Sequence, residues 1–282
     1  MNIFSQPAWL NQFDYPHKNF EETPRQLFDT INANLKNILS DEPLVSIIIS
    51  AWNEEENILK CIDSLSKTKT KRLVEIVVVN NNSTDSTQLI LDNLNIRTYF
   101  QPIQGWGPAR QLGQEKAKGK FILLGDADCF YPESWVDDMI NALEMPDVVC
   151  VYGRYSFISN KEFPRWKLYL LETMKDAIAE IRHLKRPYLN AYGMSMGYIK
   201  ELGVRIGFVM YKVRGEDGRL CLGLMDYGKI TQLKLTRARV WTGTRTLQKD
   251  GNFGTMLRIR VVKEMKRIFT MISKYKPTNS ET

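Results

Sequence analysis

Three runs of aliphatic and β-branched residues constrain this chain more than anything else in it. They are LVSIIIS from Leu44, LVEIVVVN from Leu73 and KFILLGDAD from Lys120. Each is followed or preceded by a segment of helical periodicity: EEENILKCIDSLSK, STDSTQLILDNL and GPARQLGQEKAKG, with a short strand, IRTYFQP, among them. A strand that faced water on one side would alternate polar and apolar residues. Unbroken Val/Ile runs instead predict strands buried on both faces, in a mostly parallel sheet flanked by helices, an α/β fold. In such sheets ligands bind beyond the carboxyl ends of the strands. The segments SAWNEE, NNNSTD and DAD, each directly after a strand, are therefore expected to line one cleft.

Around this centre the chain divides into an N-terminal extension (1–43), a main domain (44–250) and a tail (251–282). The extension carries a predicted amphipathic helix over Pro24–Leu39, with Leu27, Ile31, Leu35 and Ile38 at helical spacing, broken by SDEP. Within the main domain, 44–131 carries the strand–helix alternation, and 132–250, where the alternation loosens, reads as a substrate-specific half. There SWVDDMINALE is expected to be a helix, VVCVYGRYSF a strand and KLYLLETMKDAIAEIRHL a helix. Net charge is +7 over 282 residues, but Met256–Lys276 holds seven basic residues and one acid. That tail accounts for nearly all of the excess, which excludes a broadly basic, nucleic-acid-coating surface. Val261, Met265, Ile268 and Ile272 fall on one face of a predicted C-terminal basic amphipathic helix. Such a helix either packs on the domain or lies on an anionic membrane surface.

No apolar run reaches the ~18 residues that span a bilayer, and MNIFSQPAWLNQF lacks the basic start and long apolar stretch of a signal peptide. Four scattered cysteines (Cys61, Cys129, Cys150, Cys221) read as reduced core thiols, and two histidines exclude a multi-histidine metal centre. The expected location is cytoplasmic, with peripheral attachment to the inner face of the membrane as the alternative for the tail.

Four clusters carry chemistry. Asp126 and Asp128 end a core strand at positions i and i+2, which project to the same side. They are either solvated loop acids or hard oxygen ligands for Mg2+ or Mn2+. Glu216 and Asp217, between glycines in RGEDGRL, form either a surface turn or a carboxylate brought close to a ligand, where it can act as general base. In SAWNEEEN, Trp52 either packs in the core or offers its face to a nucleobase. Glu54 is placed to accept from a base or ribose hydroxyl, and Asn53 to cap the next helix. In GWGPAR, Arg110 near a helix start is placed to meet a phosphate.

The order of these clusters resembles glycosyltransferase family 2, whose patterns are P-x-Y-N-E-E, V-D-D-G-S-T-D-G-T, G-x-x-x-A-R-N-x-G-x-x-x-A-x-G-x-x-[IV]-x-F-x-D-x-D and x-E-D. The segments NSTDST and ARQLGQEKAKGKFILLGDAD carry the likeness most specifically, and it extends from Leu44 to Arg245. The resemblance implies a GT-A (Rossmann-like) fold and an inverting, hexosyltransferase-like enzyme. It would draw on a UDP- or GDP-sugar with Mg2+ or Mn2+, for polysaccharide or glycolipid assembly on a saccharide or lipid-linked acceptor. By position it places Ser50, Ala51, Trp52 and Glu54 at the nucleoside, Asn80 at the base and Arg110 near the diphosphate. Asp126 falls on the ribose and metal side of the D-x-D motif, with Ala127 and Glu216 among the substrate-binding positions. Asp128 falls on the direct metal ligand and Asp217 on the catalytic base. Arg245, in RVWTGTRTL, falls in a segment that closes over the diphosphate. Ser50, Trp52 and Asn80 depart from the family's proline, tyrosine and first aspartate; an amide at Asn80 leaves the choice of uracil or guanine open.

A sugar-phosphate nucleotidylyltransferase would need a glycine-rich basic loop after the first strand, where this chain has the acidic SAWNEEEN. A non-catalytic sugar-nucleotide-binding scaffold would not need Asp126, Asp128 and Asp217 together. Nucleic acid is not an expected partner. Acceptor selection is expected in Tyr152–Gly207, with NAYGMSMGY in the pocket floor.

Overall fold

The computed structural model describes residues 4–17, 19–211 and 215–248, together with Gly254. The predicted C-terminal helix lies outside the described residues. In chain order the elements are α1 (Arg25–Ile38), β1 (Val45–Ala51), α2 (Ile58–Ser66), β2 (Val74–Asn80), α3 (Thr87–Asp92), β3 (Arg97–Phe100), α4 (Trp106–Lys116), β4 (Phe121–Asp126) and β5 (Cys129–Phe130). The second half continues with α5 (Trp135–Leu143), β6 (Val148–Tyr152), β7 (Tyr155–Phe157), α6 (Arg165–His183), β8 (Met196–Ile199), α7 (Lys200–Ile206), α8 (Glu216–Leu224), β9 (Lys229–Gln232), β10 (Val240–Thr242) and α9 (Arg245–Gln248).

Seven strands form one sheet in the order β3-β2-β1-β4-β8-β6-β9, parallel except for β8, which runs antiparallel to both neighbours. The Val/Ile runs occupy its centre. Successive side chains on β1 point to opposite faces, so Ile47 and Ile49 enter one core while Ile48 enters the other. The first core is closed by Phe28, Ile31 and Leu35 of α1, by α2, and by Trp135, Val136 and Met139 of α5. The second holds Ile122, Leu124, Tyr198, Phe208, Leu220 and Leu224. Full burial of each such side chain favours folding by about 1.5–3 kcal/mol. The N-terminal helix has its predicted place: Ile31 and Leu35 are fully buried, and the backbone after it bonds the start of β2 through Ser40 N–H and the Val74 carbonyl.

The expected single strand VVCVYGRYSF is two strands in different sheets. It breaks at Gly153 and Arg154, where a Cβ on Gly153 would collide with Ser195 Oγ. Its second part, β7, joins β5 and β10 in a small sheet of order β5-β10-β7. There Thr242 pairs with Cys129 and Trp241 with Phe130. That register holds the residues just after Asp128 against the chain that leads to Arg245. All four cysteines are buried and free. Among the described residues, no helix is long and apolar enough to cross a membrane.

Candidate active site

Strand register sets the site. Ser50 lies beside Asp126 across the β1–β4 pair, and Ala51 beside Asn80 across β1–β2, all at the carboxyl edge of the sheet. The loops that leave this edge are stitched to one another. Asn53 donates its backbone N–H to Ser83 Oγ at 3.0 Å and accepts from Thr84 N–H at 2.8 Å. Glu54 N–H reaches Thr87 Oγ1 at 2.9 Å, and Ser86 N–H reaches Glu55 Oε2 at 2.7 Å. Asn53 and Asn82 sustain positive φ of 52° and 60°, which asparagine tolerates better than most residues. SAWNEE and NNNSTD are thus neighbours, as the strand-end rule predicts, and Arg245 completes the set by joining Glu54 to Asp128.

Among the described residues the buried Ser50 Oγ has no hydrogen-bond partner, a state that costs about 1–3 kcal/mol unless a ligand relieves it. Trp52 is 49% exposed, so the core-packing alternative does not hold. Asn80 is buried: its amide donates to Gln88 Oε1 at 2.7 Å and its oxygen accepts from Ser83 N–H at 3.0 Å. Its neighbour Asn81, which sequence reasoning passed over, accepts from Gly105 N–H at 2.7 Å and donates to the Ile103 carbonyl at 2.7 Å. It fixes the loop that begins α4.

Arg110, on α4, does not present its guanidinium to the open cleft. It is buried among three carboxylates. Nη1 donates to Glu216 Oε1 at 2.6 Å and to Asp217, and Nη2 donates to Asp126 Oδ1 at 2.9 Å. Burial works against its charge, but Asp217, Asp126 and Glu216 overcome that, and its pKa is raised. Glu216 and Asp217 do not form a surface turn; they open α8, with Gly215 before them at φ 87°. Asp217 accepts a second bond from Gly193 N–H at 2.8 Å on Oδ2. Burial pushes the Asp217 carboxyl up to about 6 against the pull of Arg110, with Glu216 adding repulsion. Gly193 lies in NAYGMSMGY, and a Cβ there would run into the Arg110 guanidinium.

At the other side of the site, Asp126, Asp128 and Cys129 bring one candidate ligand atom each to within 4.8 Å of one another. Burial raises the pKa of both aspartates; Glu54 adds to it at Asp128, while Arg110 and Arg245 oppose it at their respective partners. Burial, with Asp128 and Asp126 nearby, pushes the Cys129 thiol well up and keeps it protonated. A protonated thiol is a poor ligand, and hard divalent cations prefer oxygen, so the donors that fit are the two carboxylates. Ala127 is buried between them. The Asp126 backbone is held by its N–H to Tyr131 Oη at 2.9 Å.

The model of the family described as "Glycosyl transferase family 2" matches residues 46–205, more than half of the chain and the span that holds Ser50, Asn80, Arg110, Asp126 and Asp128. The chain belongs to glycosyl transferase family 2. Among curated relatives, it is 34% identical over 123 residues to glycosyltransferase AglE of Haloferax volcanii, covering 41% of this chain and 40% of that protein. It is 25% identical over 223 residues to chondroitin synthase of Escherichia coli, covering 72% of this chain and 31% of that one. The matched stretch spans less than half the length of these relatives. Among solved structures, S. aureus TarS 1–349 in complex with UDP superposes with a TM-score of 0.56 at 19% identity, over 71% of this chain and 60% of that one. Mannosyltransferase PcManGT from Pyrobaculum calidifontis, in complex with GDP-Man and Mn2+, gives 0.57 at 18% identity, over 89% and 72%. The architecture is the GT-A fold.

Proposed function

We propose that this chain transfers a glycosyl group from a UDP- or GDP-sugar to an acceptor hydroxyl, with inversion, using Mg2+ or Mn2+. One observation carries the reading: Asp217 and Asp126 are bound to opposite ends of a single buried guanidinium. A candidate base and a candidate metal-binding acid therefore stand one arginine's width apart, at the strand edge where α/β folds bind ligands.

In this reading 44–131 holds the donor and 132–250 the acceptor. Ser50 Oγ, Ala51 and the half-exposed face of Trp52 receive the nucleoside, with Glu54 and Asn80 at its edge and Ala127 and Glu216 lining the sugar side. Asp126 and Asp128 hold the divalent cation, which when bound offsets the charge of the departing diphosphate. Asp217 takes the proton of the acceptor hydroxyl. The hydroxyl oxygen bonds to the anomeric carbon as the bond from that carbon to the diphosphate oxygen breaks, and the nucleoside diphosphate leaves. Arg110 keeps Asp217 oriented and opposes its protonation, and Gly193 N–H fixes the second oxygen. Arg245 meets the diphosphate.

The acceptor is a saccharide or a lipid-linked saccharide, with the basic tail of Met256–Lys276 giving contact with an anionic membrane surface on the cytoplasmic side. Likeness to chondroitin synthase supports a role in polysaccharide assembly. The test is a thermal-shift and transfer screen over UDP- and GDP-sugars with and without Mn2+. Stabilisation by one donor class only with metal, followed by its turnover with an acceptor extract, is the expected outcome. Absence of any metal-dependent nucleotide binding would refute the proposal.

A further inference from the structure

The two arginines of the site are held differently. Arg110 is locked among Glu216, Asp217 and Asp126, with its side chain 4% exposed. Arg245 has 54% of its side chain exposed, and among the described residues one nitrogen makes both of its carboxylate contacts: Nη2 lies 2.5 Å from Glu54 Oε1 and 3.0 Å from Asp128 Oδ2. Glu54 and Asp128 come from different strand-end loops, and both are largely sheltered from water. Two carboxylates converging on one point repel unless a cation sits there. In this arrangement the cation is a guanidinium.

We propose that Arg245 is a resident counter-cation, which gives up its hold on Asp128 to the divalent cation that arrives with the sugar nucleotide. This rests on the reading of Asp128 as a metal ligand. A divalent ion presents twice the charge at that point and binds tightly when substrate phosphates complete its coordination. Without those phosphates it must compete with an arginine already tethered beside the site. Arg245 follows Thr242 by three residues, and Thr242 is paired to Cys129, so the tether is short. Once released, the guanidinium stays within reach of a diphosphate, an anion it is suited to grip. Metal and nucleotide are thereby made to bind together.

The experiment is Mn2+ binding to the full chain without nucleotide, read from the loss of the free Mn2+ signal in electron paramagnetic resonance. Wild type is compared with R245Q and R245A, and with R245K as a charge-retaining control; all alter a half-exposed side chain. R245Q and R245A are expected to bind Mn2+ alone at least tenfold more tightly than wild type, and R245K within about threefold of it. Equal or weaker binding in R245Q and R245A overturns the proposal. The same titration with UDP or GDP present separates the two readings. If wild type fails to hold Mn2+ even then, the metal reading of Asp128 falls. If it holds Mn2+ with nucleotide while R245Q matches wild type without it, only the role of Arg245 falls.

Discussion

Arg110 and Asp217, 107 residues apart in sequence, form a buried ion pair beneath the carboxyl edge of the sheet. The pair joins the start of α8 to α4, and through the second arm of Arg110 to the end of β4. Three segments that have no local reason to meet are thereby held at one point.

Replacing Asp217 by Asn removes a proton acceptor while keeping shape and burial. Turnover is expected to fall by 10²-fold or more, the usual scale of general-base catalysis, with nucleotide affinity in Mn2+ changed less than threefold. Isothermal titration beside a transfer assay decides it. A parallel loss of affinity would remove Asp217 from the role of base.

The pH profile follows from burial. With its carboxyl pushed up to about 6, Asp217 is ionised, and able to take a proton, only above that value. As pH falls through about 6 the acid form accumulates, so kcat/KM is expected to drop toward tenfold per pH unit on the acid side. A limb centred near 4, the range of an exposed carboxylate, would contradict the site's desolvation.

Asp128→Ala removes one of the two carboxylates proposed to hold the cation. Nucleotide affinity measured with Mn2+ is expected to fall to the level seen without it, at least tenfold, while metal-free affinity stays near wild type. Retention of the Mn2+ effect would place the cation elsewhere.

Arg110→Met deletes the cation that three carboxylates share. Breaking a buried ion pair from one side costs about 3–5 kcal/mol, and here the cost depends on pH. Asp217, whose carboxyl burial already pushes up to about 6 with Arg110 present, is left without its counter-charge; lowering the pH protonates it and relieves the repulsion. Urea unfolding at pH 7 and pH 5 is expected to show the larger deficit at pH 7. A pH-independent deficit would mean that the lost packing matters and the lost charge does not.

The sheet was readable because its signal is local. Val45–Ala51, Val74–Asn80 and Phe121–Asp126 carry unbroken aliphatic runs, and a strand buried on both faces announces itself in any such window. The convergence of SAWNEE, NNNSTD and DAD followed from the strand-end rule alone. What escaped is non-local. Nothing near Arg110 in sequence signals that its partners lie at Glu216 and Asp217, so a helix-start arginine reads as a phosphate contact. Glu216 and Asp217 read equally as a glycine-flanked turn because α8 starts directly on them, and the left-handed Gly215 before it is what a turn also uses. The break of VVCVYGRYSF at Gly153 depends on Ser195, across the sheet, and on a second small sheet that no window around Arg154 contains. Asn81 had a weak signal as the middle of three asparagines between strand and helix, and Gly193 had one in the segment expected to floor the pocket.

The pairing of Cys129 with Thr242 has a mechanical consequence. Only Gly243 and Thr244 separate that pairing from α9, and Asp128 directly precedes its other member. A displacement of α9 would be passed through two backbone pairings to the loop that holds Asp128. The placement of Arg245 is thus geared to that of Asp128.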